Sequence, residues 1–199
     1  MKILIACEES QAVCIAFREQ GHEAYSCDII PTSGNHPEWH IQDDVLNHLN
    51  DGWDLMIAHP PCTYLSNSGV CWLYQDPFRW GFLDDGAEFF KKLLDAPIER
   101  IAIENPIPHK YATERIGSTY NQIIQPWMFG HAESKATCLW LKNLPKLKET
   151  DNVKEEWKKL PKNEGQRLHC LPPGPERAKL RSKTFSGIAA AMSLQWGNI

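Results

Sequence analysis

The sequence predicts an α/β fold with a mostly parallel sheet and flanking helices, and two observations carry this. Short apolar runs alternate with amphipathic segments along most of the 199 residues, the pattern of strands joined by crossover helices. Three of the apolar runs end in polar clusters, at Asp28, at His59-Pro60-Pro61-Cys62 and at Glu104-Asn105-Pro106. In open α/β sheets ligands bind beyond the carboxyl ends of the strands, so these clusters mark one functional edge. A chain of this length holds one well-cored domain and is short for two.

Each element follows from local pattern. Ile3 to Cys7 reads as a buried first strand. Ser10 is placed to cap a helix carrying Ala12, Val13, Ala16 and Phe17, which Gly21 stops. Glu23 to Cys27 is a second strand ending at Asp28, Pro31 to Pro37 a loop, and Asp44 to Leu49 a short helix. Trp53 to Ala58 is a strand broken by Pro60-Pro61. Leu83 to Leu94 is a helix with Ala87, Phe90 and Leu94 in near-helical register. Arg100 to Ile103 forms a strand ending at Glu104, Thr137 to Leu141 another, and Gly187 to Trp196 a closing helix. Residues 143–182 are rich in Pro, Lys and Glu and carry no strong periodicity.

Composition narrows the classes. Hydrophobic (42%) and charged (23%) contents are those of an ordinary globular protein. The run Ile3-Leu4-Ile5-Ala6 is too short for a signal segment and no stretch approaches a membrane span, so no membrane role is expected. Seven cysteines without a CxxC pair point to reduced thiols and a cytoplasmic setting. A zinc site assembled from distant residues such as His109, His131, Cys138 and Cys170 stays open, but no ligand spacing supports it. Residues 142–183 hold 12 Lys/Arg against 6 Asp/Glu, whereas the remainder holds 9 against 19. That asymmetry suits a nucleic-acid footprint. It equally suits a solvated charged helix such as Lys154 to Lys162.

Two residues carry the chemistry. Cys62 follows a strand on a proline-stiffened loop, which holds a thiol at a defined place; a thiolate is a strong nucleophile. Alone, such a cysteine is more often structural. Glu104 stands at the tip of another apolar strand, where a cap or a loop salt bridge is the plain alternative. Together they fit one reaction. Adding a thiolate to C6 of a pyrimidine builds negative charge on the ring, and an acid hydrogen-bonded to N3 stabilises it.

On these residues the chain resembles the catalytic domain of the DNA cytosine-5 methyltransferases, and more closely a small, largely phage-borne group related to them. Pro61-Cys62 matches the family's nucleophile loop, with Ser66 where that loop also carries a serine. Glu104-Asn105 matches its Glu-Asn dipeptide, Asp28 its ribose-binding acidic residue, and Asp43-Asp44-Val45 its adenine-contacting segment, which implicates Asp44. The match runs in order over residues 1–141 and again over 182–197.

The resemblance implies a Rossmann-like S-adenosylmethionine-dependent methyltransferase fold over residues 1–199. It implies methyl transfer to C5 of cytosine in DNA, in the cytoplasm of a bacterial or phage-infected cell. Cys62 and Glu104 are then catalytic. Cys7, Glu8, Asp28, Asp44 and Pro60 fall at the S-adenosylmethionine site, and Ser66, Asn105 and Lys135 at the substrate. No metal is implied, and the oligomeric state is left open. A free pyrimidine nucleotide or RNA as substrate, or a non-catalytic module binding nucleic acid or a partner, are the competing readings. An amino-methyltransferase fits less well, since His59 precedes Pro60-Pro61 and Cys62 follows.

Three departures from the family stand out. The glycine-rich cofactor loop is replaced by Ala6-Cys7-Glu8-Glu9-Ser10-Gln11, where Glu8 is placed to meet a ligand ammonium. The Gln-x-Arg-x-Arg strand aligns with Glu133-x-Lys135-x-Thr137, keeping positive charge only at Lys135. In place of a target-recognition domain stands the short basic stretch 142–183, able to grip phosphates but too short to read a long sequence.

Overall fold

Alternate residues of the central strands face opposite ways, and both faces are buried. In the strand β1 (Lys2–Ala6), Ile3 and Ile5 pack on one side, while Leu4 and Ala6 pack on the other, all fully buried. The same alternation runs through β4 (Leu55–Ala58) and β5 (Arg100–Pro106). Strands buried on both faces need helices on both, which is why the segments between them are amphipathic. The computed structural model describes residues 1–199, the side chains of Pro175 and Glu176 excepted.

Seven strands form one sheet in the order β3-β2-β1-β4-β5-β7-β6, with β2 at Glu23–Asp28, β3 at His40–Gln42, β6 at Gln122–Ile124 and β7 at Thr137–Lys142. Strands β1 to β5 pair in parallel; β7 alone runs opposite, between β5 and β6. The α/β class and mostly parallel sheet expected from the sequence are thus what the chain adopts, in a Rossmann-like arrangement. One face is covered by α1 (Ala12–Glu19) and α8 (Ser186–Trp196), with Phe17, Met192 and Trp196 in its core. The other carries α2 (Arg79–Leu94) and α3 (Lys110–Ile116), where Phe90 meets Trp140 edge-on with ring centres 4.9 Å apart. Among the described residues no helix is long and apolar enough to cross a membrane.

Some elements differ from the local reading. Strand β5 does not end before Glu104 but continues through Pro106, because β7 pairs alongside: Glu104 faces Leu139, Asn105 faces Cys138 and Pro106 faces Thr137. Helix α1 begins after Gln11, and Ser10 is not its main cap; Ser10 Oγ accepts only a 3.4 Å bond from Ala12. Gly21 does end it, in left-handed backbone. The expected helix at 44–49 is a single 3₁₀ turn, Val45–Asn47. Residues 143–182, which lack periodicity, still form the short helices α4 (Lys154–Trp157), α5 (Lys162–Gly165), α6 (Arg167–Cys170) and α7 (Pro175–Ser182). They are tied back by Ser134 N–H to the Gly165 carbonyl and by an Arg167–Glu133 ion pair at 2.9 Å.

Strand order reverses between β1, whose chain turns outward to β2, and β4, which continues toward β5. The carboxyl ends of β1, β2, β4 and β5 all open at this edge, the crevice where open α/β sheets bind ligands.

Candidate active site

Cys62 is held by the turn that follows β4. His59 still donates its N–H to the Ala6 carbonyl, so the loop leaves the sheet only at Pro60. Leu65 and Ser66 then both donate their N–H to the Cys62 carbonyl, at 3.1 and 2.9 Å. Cys62 is partly exposed, unlike the buried Cys14, Cys27 and Cys138. Burial lifts its thiol above the ordinary cysteine value on balance; the charges of Arg181 and then Lys135 offset part of that rise, and Glu104 adds to it. Ser66 is buried and bonds Ser68 Oγ at 3.0 Å, so its hydroxyl shapes the turn. Asn105 reaches from β5 to the Pro60 carbonyl, and its Oδ1 is buried with no partner among the described residues.

Glu104 is paired. Ala58 and Ile103 are register partners, so His59 and Glu104 lie level on neighbouring strands. His59 Nδ1 donates to Glu104 Oε2 at 2.7 Å, with the side chains 11% and 10% exposed. Burial would raise the Glu104 carboxyl, but the Lys135 charge, the His59 bond and charge, and the Thr137 hydroxyl hold it at about 2. Burial also works against a charged His59. The bond and charge of Glu104, with Glu8 behind, outweigh it and raise the imidazole above its ordinary value. Both directions favour imidazolium beside carboxylate. His59 Nε2 is buried and has no partner among the described residues. Sequence reading singled out Glu104 but not its proton partner, although a histidine directly before Pro-Pro-Cys was visible.

The β1 edge achieves a glycine-like turn without glycine. Cys7 and Gln11 both adopt left-handed backbone, with φ of 58° and 57°, a conformation costing roughly 1–2 kcal/mol for an L-residue. Glu8, expected from the sequence to meet a ligand ammonium, is engaged within the fold. It is 5% exposed, and its oxygens accept the N–H groups of Val13 at 2.7 Å and Cys14 at 3.1 Å, capping α1. Gln11 is buried and pins the 34–36 loop: its Nε2 donates to the His36 carbonyl and its Oε1 accepts the His36 N–H. A side chain on Gly34 would collide with that amide.

Asp28 and Asp44 gather at Cys7. Burial lifts the Cys7 thiol far above its ordinary range, and the charges of Asp28, Cys27 and Asp44 lift it further. Asp28 Oδ1 accepts the Ile30 N–H at 3.2 Å, and Asp44 Oδ1 accepts that of Leu46 at 3.0 Å. Each acid keeps acceptor capacity for a ligand donor.

The aligned positions before β7 divide. Glu133 turns to Arg167, Thr137 lies against Glu104, and the charge of Lys135 acts on Glu104, His59 and Cys62. From the basic stretch it is Arg181 on α7 whose charge reaches Cys62. Lys158, by contrast, is exposed and bonded to Glu155 at 2.7 Å. Nothing local distinguishes Arg181 from the other cations around it.

No known family model matches the chain, and no curated protein matches it in sequence. Among solved structures it is similar to an E. coli chain described as a candidate DNA modification methyltransferase encoded within a prophage. The likeness has a TM-score of 0.48 at 15% identity and covers 80% of this chain and 55% of that one. This chain thus spans about half the length of that neighbour.

Proposed function

We propose that the chain is an S-adenosylmethionine-dependent methyltransferase acting on C5 of cytosine in DNA through a covalent Cys62 adduct. The observation that carries this is the placing of Cys62 and Glu104 at the ends of adjacent parallel strands, with Lys135 and Arg181 charges on the thiol. Such cations offset part of the burial that raises the thiol, and the thiolate attacks C6. Glu104 assists at N3, so that the ring charge raised by attack is neutralised and C5 becomes nucleophilic.

The residues at the β1 and β2 ends fit the cofactor. The left-handed backbone at Cys7 lets the main chain turn away from the crevice, and Asp28 and Asp44 supply acceptors for ribose hydroxyls and an adenine amino group. Bound there, the cofactor supplies a methyl group on a sulfonium. Pro60, held by Asn105, closes the same crevice from the β4 side. In this reading residues 142–183 take the place of a recognition domain and Arg181 delivers their charge to the target. Seven free thiols fit a reducing cytoplasm.

A duplex carrying 5-fluorocytosine tests the proposal, because fluorine cannot leave C5 as a proton does. Wild type with S-adenosylmethionine should form a denaturant-stable adduct, and Cys62→Ala should form none while retaining cofactor affinity. An undiminished adduct in that variant sinks the assignment. Adduct formation with free fluorinated dCMP but not with duplex moves the substrate to a nucleotide, the reading that the shortness of the 142–183 stretch favours.

A further inference from the structure

We infer that His59 is a positioning residue that stores, on its imidazole, the proton Glu104 needs to assist attack on the pyrimidine; this rests on the cytosine reading above. The problem it solves is visible in the site. Glu104 rests as a carboxylate, and a carboxylate has no proton to give to N3. His59 holds one 2.7 Å away, in a bond almost closed to solvent.

The groups facing the imidazole come from three elements besides its own loop. Glu104 meets it from β5, Glu8 lies behind it after β1, and Lys135 approaches from the segment before β7. The two carboxyl groups favour the imidazolium and the ammonium opposes it. The acids prevail, and burial screens the contest from bulk water.

The proton count balances within the pair. Imidazolium beside carboxylate holds as many protons as neutral imidazole beside carboxylic acid. Transfer breaks Nδ1–H and forms O–H on Oε2, leaving the ring neutral with its remaining proton on Nε2. A half-turn of the carboxyl then presents that O–H to N3. As the Cys62 thiolate, its own proton already lost to solvent, forms the S–C6 bond, the C5=C6 π pair becomes a C4=C5 bond and the C4=N3 π pair moves onto N3. The O–H bond breaks as N3–H forms, and the pair is left as imidazole and carboxylate. Nothing is drawn from solvent at the moment of attack.

His59→Asn tests this, since the amide can still donate to Glu104 but carries no transferable proton. Two measurements are made on the full chain: ¹⁵N NMR of labelled histidines across pH, and single-turnover methyl transfer into a cytosine-containing duplex. In wild type the imidazole whose signal the variant loses should stay doubly protonated above pH ~7.5, where an unperturbed histidine is neutral; His48, raised by its bonds to Asp51 and Asp43, keeps its own signal in both. The variant's transfer rate should drop about 10²-fold at pH ~8, in the range of lost acid assistance, with KM within about threefold. The deficit should shrink as pH falls, because solvent then protonates Glu104. A variant matching wild type at every pH overturns the inference, as does a His59 already neutral at pH ~7.5. Should the variant not fold, the alkaline limb of the wild-type rate must share its midpoint with the NMR titration; a different midpoint overturns it equally. A wild type that transfers no methyl to the duplex overturns the cytosine reading, and this inference with it, whatever the NMR shows.

Discussion

Asn105 donates from Nδ2 to the Pro60 carbonyl at 2.9 Å, so the strand that carries Glu104 also holds the loop that carries Cys62. Asn105 is 2% exposed, and a lost buried amide bond leaves an unpaired carbonyl at a cost of about 1–3 kcal/mol. Asn105→Ala should lower the thermal midpoint and slow 5-fluorocytosine trapping at least tenfold. S-adenosylhomocysteine affinity, measured by calorimetry, should fall far less than the trapping rate, since Pro60 also borders the proposed cofactor crevice. Trapping at the wild-type rate would mean that the prolines alone hold the loop.

Asp28 and Asp44 sit together at the Cys7 turn. A hydrogen bond to a charged group contributes about 1.5–3 kcal/mol. Asp28→Ala and Asp44→Ala should each weaken S-adenosylhomocysteine binding by about ten- to a hundredfold in calorimetry. Unchanged affinity in both variants would place the nucleotide elsewhere.

Glu8 caps α1 with both oxygens. Glu8→Ala should lower stability by about 1–2 kcal/mol in urea denaturation, the range of a lost helix cap. Glu8→Gln, which keeps one acceptor and removes the buried charge, should cost less. If Glu8→Ala left stability intact and abolished cofactor binding, the capping role would be refuted.

The pH dependence of stability has a definite sign. Glu104 is depressed from 4.5 to about 2, so its contribution is complete above about pH 4.5 and is lost as pH falls through 2. His59 is raised above 6.5, so its contribution is complete below about 6.5 and is lost as pH climbs through the higher folded value. The shift at Glu104 corresponds to roughly 3 kcal/mol, shared with its partners. The stability difference between wild type and Glu104→Gln should therefore peak between these limits and shrink on both sides. A difference that kept growing toward alkaline pH would contradict the ion pair.

Arg181 should contribute to the electrostatics of nucleic-acid binding. Each phosphate contact steepens the fall of log affinity with log salt by about 0.9 on duplex DNA. Arg181→Gln should flatten that slope by about one unit and slow Cys62 trapping. Neutralising Lys158, which is paired with Glu155 on an exposed helix, should change it less. A flat salt response in wild type, with transfer to free dCMP, would make the nucleotide the substrate.

The central elements were legible because their signals are local. The first, second and fourth strands and the last helix appear within two residues of where apolar runs and turn residues place them. Cys62 and Glu104 were legible too, each as a polar residue at the end of an apolar run. Their neighbourhood was not, since the pairing of β4 with β5 joins residues 45 positions apart, as the His59–Glu104 bond does. Strand β6 was missed because three residues carry no usable period.

By itself the sequence determined the alternation of strands and helices, the proline-stiffened cysteine loop and the acids at strand ends, all set by neighbours in the chain. Only the tertiary structure decided that Glu8 turns inward to cap a helix, that Glu104 rests as a carboxylate beside His59, and that Arg181 acts on Cys62. The reason is physical. A residue's conformational preference is set by adjacent residues, but its charge state and hydrogen-bond partner depend on groups brought within a few ångströms by folding, and a buried charge feels them strongly.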